Sequence, residues 1–216
     1  HLISDSIGIQ SYLKEKYQIE SKYFPYGADV FLNPEEEAIT KYNVRSGNYA
    51  MLIARMEPEN NIEMIIQGHL KSGVEMPLLV VGNTTNDFGG YLKSTYESSK
   101  VVFTQGIYDL EMLNNLRYYC GVYFHGHSVG GTNPSLLEAL GSASLIAVNN
   151  NEFNKAIIGE EGITFSSIDE VVDVYKTDLK ELGERFRPIN FQKVKDIYQW
   201  DKIIKEHANY FNSISV

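Results

Sequence analysis

Short apolar runs and helical spacings alternate along most of this chain. Residues 49–54, 77–81, 101–103, 121–124, 145–148 and 163–165 are nearly unbroken apolar stretches. Runs of that kind mark strands buried on both faces. Between them Ile62, Ile65, Ile66 and Leu70 recur at helical spacing, as do Leu110, Leu113, Leu116 and Arg117. Residues 91–97 and 136–140 read as helices too, and 168–182 and 191–211 as longer ones near the end. Strands alternating with helices of this length predict an α/β fold, a Rossmann-like parallel sheet with helices on both faces. Ligands of such sheets bind beyond the carboxyl ends of the strands.

The first 45 residues break this rhythm. Residues 7–16 carry Ile7, Ile9, Tyr12 and Leu13 on one side of a short helix. An extended segment follows at 23–29 and ends in a turn. Pro34 and three glutamates then open another helix, since proline and acids both suit a first turn. The division expected is 1–45 as a helix plus linker, 46–190 as the ligand-binding domain, and 191–216 as C-terminal helices.

With 216 residues and 43% apolar content, the chain can build one good-sized core. No run approaches the roughly 18 apolar residues of a membrane span, and no signal peptide is legible at the start. The net charge of −9 argues against nucleic acid as a general partner. A small phosphorylated ligand needs only a few local donors and stays open. Cys120 is the single cysteine, so neither a disulfide framework nor a zinc pattern is present. A cytoplasmic protein is the expectation, with Cys120 a buried small hydrophobe.

Three segments carry chemistry. The first follows the strand at 49–54. Arg55 is a permanent cation at a strand's carboxyl end, with a fork that suits a diphosphate, or alternatively a surface partner of Glu57 or Glu59. The second is Thr104-Gln105-Gly106-Ile107-Tyr108-Asp109, where a glycine after a strand can expose main chain to a planar base. Its plainer reading is a loop with Asp109 as helix cap. The third is the most informative: His125-Gly126-His127-Ser128-Val129-Gly130-Gly131-Thr132-Asn133-Pro134-Ser135-Leu136-Leu137-Glu138. Paired glycines allow a tight turn and a close ligand, and the next helix offers its N-terminal amides to a phosphate. Glu138 lies two turns into that helix, either exposed or accepting ribose hydroxyls. His125 and His127, two apart, are expected to face opposite ways, with one of them and Ser128 on the cavity. A metal pair fails on spacing and lacks an acidic third ligand. Gly126 to Gly130 fits a nucleophile elbow formally, but the phosphate loop accounts for more of the segment. Neither G-x-G-x-x-G nor the G-x-x-x-x-G-K-[ST] loop occurs.

These segments, in this order, resemble the C-terminal donor-binding domain of family 4 retaining glycosyltransferases, one half of a GT-B fold. More narrowly, Ala-Arg-Met-Glu-Pro-Glu-Asn-Asn from Ala54 and the long segment to Glu138 resemble bacterial rhamnosyltransferases of surface polysaccharide assembly. The resemblance implies a nucleoside-diphosphate sugar as donor, with no cofactor and no metal. It implies that Arg55 stabilises the leaving diphosphate and that the amides of Gly131, Thr132 and Asn133 hold its phosphates. Gln105, Gly106 and Ile107 would border the base, and Glu138 would bind the ribose. Two positions depart from the family. Gly130 stands where a sugar-binding glutamate is usual, and Asn60 where a lysine is. His127 or Ser128 would then contact the sugar, and Asn60 would give phosphate a neutral hydrogen bond. The glycan or lipid-linked acceptor would bind a further N-terminal domain, with residues 1–20 as its last strand and helix. The chain alone would then be inactive, and the whole enzyme peripheral to the inner membrane. Two alternatives remain at this stage: a sugar-nucleotide epimerase of the same fold, and a non-catalytic binding module.

Overall fold

The computed structural model describes residues 1–214. Among the described residues there are eight strands: β1 (Leu2–Ser4), β2 (Ser21–Tyr23), β3 (Ala50–Ile53), β4 (Leu78–Val81), β5 (Val101–Thr104), β6 (Val122–His125), β7 (Ile146–Asn149) and β8 (Ile163–Phe165). The last six form one sheet in the order β5-β4-β3-β6-β7-β8, all parallel. The helices are α1 (Ile7–Tyr17), α2 (Ile62–Ser72), α3 (Asp87–Tyr96), α4 (Leu110–Tyr119), α5 (Pro134–Gly141), α6 (Glu152–Ile158), α7 (Ile168–Lys176), α8 (Leu179–Lys193) and α9 (Trp200–Ile214).

Alternation along each strand sends side chains to two separate cores. Met51, Leu79, Tyr123, Ile146 and Val148 pack with Leu116, Leu136, Leu137, Leu140 and Val194 on one face. Leu52, Val80, Val122, Phe124 and Ala147 pack with Ile62, Ile65, Ile66, Leu92, Val171 and Val174 on the other. Both faces are apolar, so each strand reads as a continuous run instead of an alternation. The expected α/β architecture is the one observed.

Several elements differ from expectation. The helix after Pro34 is a 3-10 turn, Glu36–Tyr42. Residues 168–182 are not one helix, because Asp178 caps α8 by accepting from the amides of Lys180 and Glu181. Residues 191–211 divide likewise at a π turn, Val194–Tyr198. Helix α6 was not anticipated; it is short, and the side chain of Asn151 caps it by accepting from the Asn154 amide.

The strands β1 and β2 pair in parallel across α1 as a small unit of their own, and α1 buries no residue. Helix α9 packs back on the following segment: His207 stacks on Phe24 at 4.0 Å, and Trp200 lies against the α-carbon of Gly27. No helix among the described residues is long and apolar enough to cross a membrane.

Candidate functional site

Neighbouring strands β3 and β6 send the chain in opposite directions, one towards β4 and the other towards β7. That reversal opens a crevice beyond their carboxyl ends. A cleft of about 760 Å³ lies there, walled by the loops after β3, β4, β5 and β6.

The loop after β3 presents Arg55 and is held in place by asparagines. Asn60 Nδ2 donates to the Arg55 carbonyl at 2.8 Å, and Asn86 Nδ2 donates to the Met56 carbonyl at 2.7 Å. Asn61 Nδ2 donates to the Gly126 carbonyl at 2.8 Å. The Ser128 amide and hydroxyl both donate to the Glu59 carbonyl, at 3.0 and 2.8 Å. This approach requires glycine at 126, where a Cβ would lie 2.1 Å from the Asn60 carbonyl oxygen. Arg55 itself is exposed. Its guanidinium has neither an ion pair nor a hydrogen bond among the described residues, so the pairing with Glu57 or Glu59 does not form.

The loop after β6 turns through Gly130, whose φ of 125° disfavours any other residue. The Thr132 hydroxyl donates to the Asp5 carbonyl. Asn133 caps α5 by accepting from the Ser135 amide at 3.0 Å, and the Leu136 amide bonds to the Asn133 carbonyl. Proline at 134 has no N–H, so α5 has satisfied its own first turn. The unpartnered donors are instead the loop amides of Gly130, Gly131, Thr132 and Asn133, none of which has an acceptor among the described residues. Free donors that could meet an anion thus lie in the loop before the helix more than at the helix end.

His125 and His127 do not face opposite ways. Their rings stack at 4.3 Å and 11°, because β6 ends at His125 and strand alternation stops there. Asn151 and Asn154 from α6 both donate to the His127 carbonyl, at 2.9 and 3.0 Å. Burial drives the His125 pKa well below 6.5. Burial and the nearby Arg55 charge bring that of His127 down to about 4. Both rings are therefore neutral at physiological pH, and His127 reaches the cleft as a hydrogen-bonding group without charge.

Of the residues singled out in the sequence, Arg55, Asn60, Gly106, Ile107, His127, Gly130 and Asn133 line the cleft. Asn60 is 3% exposed, and one of its two side-chain N–H donors is committed to the Arg55 carbonyl, which fixes the loop that carries the cation. Ser128 does not line the cleft; its hydroxyl ties the two loops together. Gln105 is exposed beyond the lining, and the Gly131 α-carbon lies against the Asp5 carboxylate. Glu138 lies off the lining and ion-pairs with Arg117 at 2.5 Å. Arg117 is 1% exposed, and its Nε finds no partner. One Glu138 oxygen is thus taken by a buried cation. Asp109 caps α4 through the Met112 amide at 3.1 Å. Cys120 is fully buried, its thiol pushed up to about 12 by desolvation.

Sequence reasoning missed the asparagine clamps and Arg117. The Asn60-Asn61 pair after Pro58 was a usable turn signal, and so was a single arginine on an apolar helix face. A second cleft of about 600 Å³ lies at the amino ends of the strands, beside Gly47, Gly121 and Arg187. It gathers no cluster of unpartnered amides and none of the motif residues.

No protein-family profile matches the sequence, and no curated protein does either. Solved structures do resemble the fold. A glycosyltransferase from Rickettsia africae superposes with a TM-score of 0.84 at 14% identity, over 98% of this chain and 62% of that one. Anabaena HepE, solved with UDP and glucose, gives 0.84 at 12% identity, over 98% and 63%. Sucrose-phosphate synthase from Thermosynechococcus elongatus gives 0.81 at 14% identity, over 98% and 57%. The chain thus spans about three fifths of the length of these proteins. Strand order, sheet polarity and these superpositions together show that the chain has the fold of the Rossmann-like half of GT-B glycosyltransferases.

Proposed function

We propose that this chain is the donor-binding half of a glycosyltransferase. It would hold a nucleoside-diphosphate sugar, with the sugar passing to a glycan acceptor bound by another domain of the enzyme. The observation that carries this reading is an unpartnered arginine sharing one cleft with a loop of unpartnered amides, of which those of Gly130 and Asn133 belong to lining residues. Arg55 and the amides of Gly130 to Asn133 supply donors for a diphosphate; Glu57 and Glu59 line the cleft and Asp5 lies against Gly131, yet none of these carboxylates pairs with those donors. Negative charge gathers on the diphosphate as the glycosidic bond breaks, so these fixed donors favour the transition state over the ground state. Arg55 and the loop dipoles do this without a metal. Neutral His127 would hydrogen-bond a sugar hydroxyl where Gly130 offers no side chain, and the remaining Glu138 oxygen would accept from the ribose.

The neighbours' names support a sugar-transfer reading: HepE was solved with UDP and with UDP-glucose, and one of the others is a UDP-forming trehalose-phosphate synthase. The finer proposals rest on the motif resemblance. They are membership of family 4, retention of configuration, rhamnose as the sugar, surface polysaccharide as the product, and a cytoplasmic enzyme peripheral to the inner membrane. Calorimetric titration with UDP, dTDP and GDP tests the reading. Binding of at least one in the micromolar range is expected; a folded protein that binds none would refute it.

A further inference from the structure

Tyr108 is the least accounted-for side chain in the cleft. It is 91% exposed, although it lines the cavity wall. Neither its ring nor its hydroxyl has a partner among the described residues. Its backbone is fixed on both sides: Ile107 packs against the core before it, and Asp109 caps α4 after it. The ring lies beside Gly106, where a Cβ would come within 3.1 Å of the phenol oxygen. The glycine leaves room for the ring to rest beside its own loop, with 91% of the residue still open to solvent at the cleft mouth.

Position selects what that face can meet. The phosphate donors follow β6 and Arg55 follows β3, while Tyr108 follows β5, three strand spacings from β6. At about 4.8 Å per spacing that is roughly 14 Å. An extended nucleoside diphosphate covers such a span, with its base at the far end from its phosphates. A large aromatic surface left in water has the most to gain from a planar partner, and tyrosine loses little rotamer freedom on stacking.

We propose that Tyr108 is the nucleobase-stacking residue of this site, taking a planar heteroaromatic ring against its exposed face. Ile107 then serves as the core anchor that aims it. The inference rests on reading the cleft as a nucleoside-diphosphate site, and the test separates the two. The tightest binder among UDP, dTDP and GDP is titrated into wild type, Tyr108→Ala and Tyr108→Phe, with near-ultraviolet circular dichroism recorded in parallel. Loss of one base–aromatic stack predicts at least about fivefold weaker binding for Tyr108→Ala. Tyr108→Phe keeps the face and stays within about twofold of wild type. A dichroic change on binding should be present in wild type and absent in the alanine variant. Unchanged affinity in Tyr108→Ala overturns the stacking role and leaves the site intact. Equal losses in Phe and Ala also overturn it, since the hydroxyl would then be the contact. No binding by wild type overturns the site reading, and this inference with it.

Discussion

Arg55 and His127 meet in the cleft with opposite electrostatic consequences. The guanidinium is exposed and unpaired, so replacing it costs the fold little and the ligand much. Arg55→Ala should weaken a nucleoside diphosphate by about tenfold to a hundredfold, the worth of a charge-assisted hydrogen bond. The bare nucleoside should bind as before; equal losses in calorimetry would make Arg55 structural. The histidines act on stability instead. His69 and His127 sit near pKa 4 and His125 well below 6.5, all chiefly through burial. The unfolded chain therefore binds protons that the folded chain refuses between about pH 6.5 and 4. Stability is full above that window and falls as pH drops through it. Thermal melts from pH 7.5 to 5 should show a falling Tm, with a shallower fall in His127→Gln; a flat profile would contradict the assigned burial. The motif residues were legible as a group because glycines, proline and a cation after a strand have few other uses. Their individual roles were less so, since Ser128 looks like a ligand donor until its hydroxyl's hydrogen bond to the Glu59 carbonyl is seen.

Loops joined by side-chain amides set the geometry at the scale of elements. Gly126 lets the loop after β6 touch the loop after β3, and Gly126→Ala forces a Cβ into the Asn60 carbonyl. Overpacking of this kind costs about 1–3 kcal/mol, so denaturant midpoints should drop and nucleotide binding should weaken in the same variant. Helix α5 adds a second dependence through Glu138 and Arg117. Glu138→Ala leaves a 1%-exposed guanidinium without its carboxylate. Because Glu138 is 37% exposed, the cost is discounted from that of a fully buried pair to about 2 kcal/mol. Urea unfolding measures it, and a loss under 0.5 kcal/mol, roughly that of an ordinary surface change, would mean Arg117 is satisfied elsewhere. Strands and most helices were legible because both sheet faces are buried and the apolar runs are unbroken. Helix α6 was not, because its seven residues show barely two turns of periodicity. The breaks at Asp178 and after Lys193 were hidden for the opposite reason, since helical spacing continues across both.

The whole molecule places its site by topology. The strand order of the six-stranded parallel sheet reverses between β3 and β6, and every cleft-lining loop leaves the same carboxyl-end edge of the sheet. The small β1-α1-β2 unit touches that edge through Asp5 and Thr132, which links the segment before the sheet to the loop after β6. One cleft among the described residues carries free amides and Arg55, while another sits at the opposite end of the sheet beside Gly47, Gly183 and Arg187. Amide-resolved NMR during titration with a nucleoside diphosphate distinguishes them directly. The account predicts the largest shifts at Gly130, Gly131, Thr132 and Asn133, with Arg55 and Tyr108 following and Gly47 and Gly183 unmoved. Shifts confined to Gly47, Gly121 and Gly183, or none at Gly130 to Asn133 under saturating ligand, would contradict it.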